Sequence, residues 1–182
     1  SYADYLSWTW GEMVELIDGK IFKMSPAPTS SHQRVSMELS RQISSYLIGK
    51  KCQVFAAPFD VRLPIQNQSK KDTDITTVVQ PDLCVICDPV KVDERGCLGA
   101  PDWVIEILSK QSSDRDLKKK FDIYEKAGVG EYWVVHPSEQ TLLVYVLQNG
   151  QYTGKRKPFI KGDNVKSLTL PELEIDLDFV FT

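Results

Sequence analysis

The sequence predicts an α/β (α+β) chain, with a mixed central β-sheet flanked by helices, an extra N-terminal hairpin and short C-terminal strands. Three observations predict it. Apolar residues recur at helical spacing in two windows, near 30–48 and 113–127. Short runs at 83–87, 103–108 and 131–135 are almost continuously apolar and β-branched, as in strands covered on both faces. The order helix, strands, helix, strand fits a single domain, 1–182, whose helices cover one sheet.

Residues 2–10 are aromatic-rich and are expected to form a short helix packed on the core. Asp18-Gly19, set between Leu16-Ile17 and Lys20-Ile21, is the signal of a two-residue hairpin, because both central positions of that turn need positive φ. Pro26 and Pro28 then break the second strand. Ser30 to Gln33 reads S-x-x-Q, a capping box. Val35, Leu39, Ile43, Tyr46 and Leu47 follow on one helical face, ending near Gly49.

Residues 53–57 and 61–63 read as strands flanking Pro58, and 66–73 as a polar loop or hairpin tip. Val78-Val79 leads into the strand 83–87, and 88–101 reads as a loop with two glycines. The helix 113–127 carries the stripe Leu117, Phe121 and Tyr124. Strands 131–135 and 141–147 pair as a hairpin turning at His136-Pro137-Ser138. Short strands follow from Tyr152, and 170–182 reads as an acidic tail.

With 42% hydrophobic and 26% charged residues, the composition excludes disordered and fibrous classes. No apolar run approaches the roughly 20 residues of a spanning helix. The first residues lack the basic start and apolar stretch of a signal peptide, so a soluble, cytoplasmic protein is expected. Against 25 Asp+Glu stand 22 Lys+Arg, a net charge of −3. That balance leaves no general electrostatic footprint for nucleic acid. It does not oppose a nuclease whose carboxylates are offset by divalent cations. The basic clusters, such as Lys118-Lys119-Lys120, read as solvated faces.

Cysteines stand at 52, 84, 87 and 97. Cys84 and Cys87 match C-x-x-C, but on a strand residues three apart point to opposite faces and cannot share a metal. All four are expected as buried structural thiols without zinc.

A carboxylate inside an apolar strand is costly unless it is paired or bound to a cation. Glu106, between Ile105 and Ile107, is such a residue. Asp82, after Pro81, enters the preceding strand. If the two strands are neighbours, the acids could hold a hard cation through oxygen ligands. Salt-bridged acids at strand ends are the competing reading. Glu15 is a third acid, before the Asp18-Gly19 turn. Lys120 lies beside the apolar stripe of its helix, either as an i,i+4 partner of Asp116 or as an ammonium directed at the acids.

Taken together these residues resemble a family. Pro81-Asp82 and, after 23 intervening residues, Glu106-Ile107-Leu108 resemble the PD-(D/E)XK nuclease superfamily with its strand lysine missing. The longer series is Glu15-Leu16-Ile17-Asp18-Gly19, Met24-Ser25-Pro26, His32, Pro81-Asp82-Leu83 and Val104-Ile105-Glu106-Ile107-Leu108-Ser109. It continues with Asp116, Lys120, Tyr124, Gly128-Val129 and Glu131-Tyr132-Trp133. In this order it resembles the Uma family of restriction-type endonucleases over nearly the whole chain.

The resemblance implies a restriction-endonuclease-like core and a Mg²⁺-dependent, or Mn²⁺-dependent, phosphodiesterase site acting on DNA. Asp82, Glu106 and the Ile107 carbonyl would be metal ligands, and Glu15, Asp82, Glu106 and Lys120 the catalytic set. Leu108 stands where the superfamily has its lysine, and Lys120 would substitute for it. His32 matches a family position without an assigned role. A homodimer is expected, since cutting both strands of a duplex needs two sites. The alternative is a catalytically inactive nuclease-fold module that binds DNA or protein.

Overall fold

The computed structural model describes residues 1–9, 11–24, 28–64, 69–109, 114–155 and 157–182. The expected strand break at 25–27, the loop at 66–68, the helix start at Ser113 and the side chain of Asp116 lie outside the described residues, as does Trp10.

The aromatic start forms α1 (Tyr2–Tyr5), anchored by the buried Tyr2. Asp18 and Gly19 adopt φ of 50° and 73°, so the predicted turn joins β1 (Val14–Ile17) to β2 (Lys20–Lys23). The long amphipathic helix is α2 (Ser30–Leu47), burying Val35, Leu39, Ile43 and Leu47. Its N-cap is Thr29, whose hydroxyl accepts from the His32 N–H, and not Ser30 as the S-x-x-Q pattern suggested. Then come β3 (Gln53–Ala56), β4 (Val61–Arg62), β5 (Val78–Val79) and β6 (Leu83–Ile86).

The stretch expected as a plain loop contains a hairpin, β7 (Val92–Asp93) and β8 (Gly96–Leu98). Gly96, at φ 113°, lies against the Asp60 backbone, where a Cβ would collide with the carbonyl oxygen. Next are β9 (Trp103–Ile107), α3 (Asp114–Ala127), β10 (Glu131–His136) and β11 (Thr141–Gln148). The chain ends with β12 (Gln151–Gly154), β13 (Phe159–Ile160), β14 (Asn164–Lys166), β15 (Glu174–Asp176) and α4 (Leu177–Val180). The acidic C-terminus is no solvated tail. Leu170, Leu173, Ile175, Leu177, Val180 and Phe181 alternate into the core between its carboxylates.

The expected mixed central sheet flanked by helices is present, and the other described strands form a second larger sheet and a two-stranded pair. The central sheet runs β12-β11-β10-β9-β6-β3, with β13 on β11. Its β9 and β10 are parallel and its other pairs antiparallel. The second sheet runs β2-β1-β5-β4-β8-β7, so the N-terminal hairpin belongs to it and is no appendage.

One face of the central sheet carries Ile105, Ile107, Trp133 and Val135 and packs against α2 and the C-terminal segment. The other carries Val104, Cys84, Tyr132 and Val134 and packs against α3 and the second sheet. Cys84 and Cys87 fall on opposite faces, as strand parity requires. The expectation of four thiols is corrected: Cys52 and Cys87 form a disulfide, because the β3–β6 register that pairs Gln53 with Ile86 brings their flanking residues together. Cys84 and Cys97 are free and buried, and burial pushes both thiols up.

Candidate active site

Leu83 pairs with Ile105 in the antiparallel β6–β9 ladder, so continuing that register by one residue sets Asp82 beside Glu106. The Ile107 N–H donates to Asp82 Oδ2 at 2.7 Å, tying the acid at the mouth of β6 to the strand that carries Glu106. Glu106 is 6% exposed. Burial pushes its carboxyl up to about 7; Lys120 opposes this, while the Asp82 and Glu15 charges add to it.

Glu15 arrives from the other sheet. It lies on β1, which pairs with β5, and the chain leaving β5 presents the Gln80 N–H to Glu15 Oε1 at 2.9 Å. Behind it, the Gln80 side-chain amide donates to Asp60 Oδ1 at 2.8 Å and to the Tyr5 hydroxyl at 3.2 Å, which links α1 to the site.

Lys120 closes the arrangement. Its Nζ lies 2.9 Å from Glu15 Oε1 and 3.0 Å from Glu106 Oε1, bridging the two sheets. Burial alone would lower its pKa, but the two carboxylates outweigh it and hold the ammonium charged, above the ordinary lysine value. One turn on, the Tyr124 hydroxyl donates to Glu106 Oε1 at 2.7 Å. Lys118 points away and is exposed, whereas Lys119 rests on the Phe22 ring, 4.0 Å from its centroid. Leu108 packs against the apolar face under α3 and offers no charge where the superfamily has its lysine.

Sequence reasoning assigned no role to two of the groups found here. His32, in the first turn of α2, places Nε2 3.1 Å from Asp82 Oδ1, and this hydrogen bond is the main reason its pKa is raised against the pull of burial. Its Nδ1 is buried with no partner among the described residues. His32 stands three residues before Val35 on the apolar stripe, so periodicity alone marks it as a core residue. Tyr124 falls on the apolar stripe of α3 by its spacing from Leu117 and Phe121. Its spacing of four from Lys120 was the available signal.

Asp82, Glu106 and Glu15 thus set three carboxylates against one lysine and one histidine. Among the described residues no three acidic, histidine or cysteine side chains gather closely enough to hold a metal ion by themselves. The donor set nevertheless suits a hard cation. Mg²⁺ is commonly held by one or two carboxylates, with water and substrate phosphate completing the shell. Glu106 and Asp82 are neighbouring oxygen donors in a site with excess negative charge.

Two sheets meeting over a buried Asp/Glu/Lys cluster define a protein of nuclease fold. The chain superimposes with a TM-score of 0.76 on a crystal structure described as a putative nuclease belonging to DUF820, from Anabaena variabilis. That match covers 100% of this chain and 97% of the other at 23% identity. The profile of the Uma2 family, described as "Putative restriction endonuclease", matches residues 2–178, and the chain belongs to that family. It is also 28% identical over 126 residues to the uncharacterized protein slr1290 of Synechocystis. That match covers 68% of this chain and 61% of the relative, so it spans about three-fifths of the relative's length. Among the described residues no helix is long and apolar enough to cross a membrane.

Proposed function

We propose that the chain is a metal-dependent DNA endonuclease that hydrolyses phosphodiester bonds, with Mg²⁺, or Mn²⁺ in its place, as cofactor. The observation that carries this reading is the single ammonium of Lys120 shared by Glu15 and Glu106 beside Asp82. Membership of the Uma2 family supports the same reading. Asp82, Glu106 and the Ile107 carbonyl would hold the cation, which when bound supplies Lewis acidity at the scissile phosphate.

The chain's own residues do the rest. Lys120 offers an ammonium to the negative charge that develops on the phosphoryl oxygens, in the place of the strand lysine that Leu108 lacks. Glu15 fixes the direction of Lys120 and is itself fixed by the Gln80 N–H. Tyr124 holds one Glu106 oxygen. His32 and the Ile107 N–H together hold both oxygens of Asp82. Cutting both strands of a duplex that is locally unpaired at the cut would require two copies, so we extend the proposal to a homodimer acting in the cytoplasm.

The test is conversion of supercoiled plasmid with Mg²⁺ or Mn²⁺ against EDTA, comparing wild type with Asp82→Ala. Metal-dependent cutting by wild type and its loss in the folded variant is the expected result. Metal-independent cutting, or cutting retained by Asp82→Ala, contradicts the proposal. DNA binding without cutting would favour the inactive module.

A further inference from the structure

Next to the carboxylate cluster, on the α3 side of the central sheet, lies a cavity of about 190 Å³. Val134 and Leu143, register partners across β10 and β11, line it together with Phe121, Tyr132 and Tyr145. Phe121 and Tyr145 meet edge to face at 89°, with ring centroids 5.0 Å apart. The volume is below that of ordinary drug-sized ligand pockets, so one small planar group is the natural occupant.

The charge of the lining narrows the ligand; the fully buried Tyr132 contributes its ring to the wall, and its hydroxyl is out of reach of solvent. Lys118 and His136 also line the cavity, and no acidic side chain does so among the described residues, so a planar group attached to an anionic backbone is favoured. The residues that wall the cavity are neighbours of the carboxylate site. Val134 pairs with Glu106 across β9 and β10, and Tyr132 packs 5.1 Å from Tyr124, the residue that holds Glu106.

From these observations we infer that the cavity seats one unpaired nucleobase of the substrate strand, next to the phosphate that Lys120 and a cation at Asp82 and Glu106 would meet. A base inside a duplex is stacked on both faces and cannot enter an aromatic slot. The substrate is therefore single-stranded or locally unpaired where it is cut. Lys118 neutralises a flanking phosphate, and Tyr145 and Phe121 supply the stacking surface. The inference rests on the nuclease reading for its substrate, but binding tests it without cleavage.

The experiment measures anisotropy of a fluorescein-labelled oligothymidylate, an equal-length strand of abasic residues and a hairpin duplex, with the full chain in EDTA at fixed salt. Wild type should bind the thymidylate about tenfold or more tightly than the other two. Tyr145→Ala should lose about that factor on thymidylate and nothing on the abasic strand. Leu143→Phe, which fills the cavity while keeping its walls, should do the same, and circular dichroism should show both variants folded. Equal binding of all three probes, no binding of any, or equal losses on thymidylate and abasic strands would overturn the inference. Plasmid cleavage run in parallel separates the two claims. Cutting without base-selective binding removes the cavity alone, whereas base-selective binding without cutting removes the nuclease reading alone.

Discussion

Glu106 on β9 and Glu131 on β10 are buried glutamates of neighbouring parallel strands, and they face opposite sides of the sheet. Glu131 accepts from the Trp133 indole at 2.7 Å, the Ser167 hydroxyl at 2.8 Å, the Leu168 N–H at 3.1 Å and the Thr169 N–H at 2.8 Å. Its partners are neutral, numerous and mostly from one turn of backbone, and they fasten the C-terminal segment to the sheet. Glu106 meets a lysine and a phenol from one helix, with two other carboxylates close by. Burial alone therefore does not mark a working acid. A carboxylate saturated by fixed N–H donors is a structural fastening, whereas one left with excess negative charge and a single shared cation can exchange partners.

The comparison breaks first at Glu131. Glu131→Ala leaves four donors without their acceptor and frees the segment that carries Leu170 and Leu173, so a loss of about 3–5 kcal/mol in denaturant unfolding is expected. A loss below about 1 kcal/mol would show that Glu131 is not the fastening. Lys120→Ala comes next. It abolishes cleavage and also leaves two buried carboxylates unpaired, at about 2–4 kcal/mol. A variant of wild-type stability would mean that the Lys120 bridge is absent in solution.

The Glu106 carboxyl, raised to about 7 from an ordinary 4.5, takes up a proton on folding. Its contribution to stability is therefore full below about pH 4.5 and is lost as pH rises through about 7. His32, also raised, acts in the same direction. Glu106→Gln should flatten the decline in stability across that window, measured by denaturant unfolding at several pH values. An unchanged slope would remove Glu106 as its source. The smallest effect belongs to Lys118→Ala, which should keep the wild-type melting temperature and reduce the salt slope of DNA binding by about one.

Much of this was legible in the sequence where a local rule sufficed. Glu106 stood out as a charge inside an apolar run, and the helical wheel placed Lys120 beside the stripe of α3. What was not legible depended on long-range pairing. Glu15 was placed with the site only through the family resemblance, because it reaches the other acids by the docking of the second sheet on the first, which no local pattern encodes. The Cys52–Cys87 bond depends on strand register across a separation of 35 residues. The β7–β8 hairpin hides in a charged stretch, Asp93-Glu94-Arg95, whose ion pairs with Arg62 and Asp72 are tertiary. His32 lies on an apolar stripe and differs from a core histidine only through Asp82, which is 50 positions away in the sequence.

The most direct measurement sets the two glutamates against each other in one assay. Glu106→Gln and Glu131→Gln each remove a buried charge while keeping shape and one acceptor oxygen. Both are assayed for Mg²⁺-dependent nicking of supercoiled plasmid after circular dichroism shows them folded. The expected result is a fall of about 100-fold or more in the rate for Glu106→Gln, with Glu131→Gln within a few-fold of wild type. Equal rates for the two variants, whether both retained or both lost, would contradict the assignment of Glu106 to the chemistry and Glu131 to the fold.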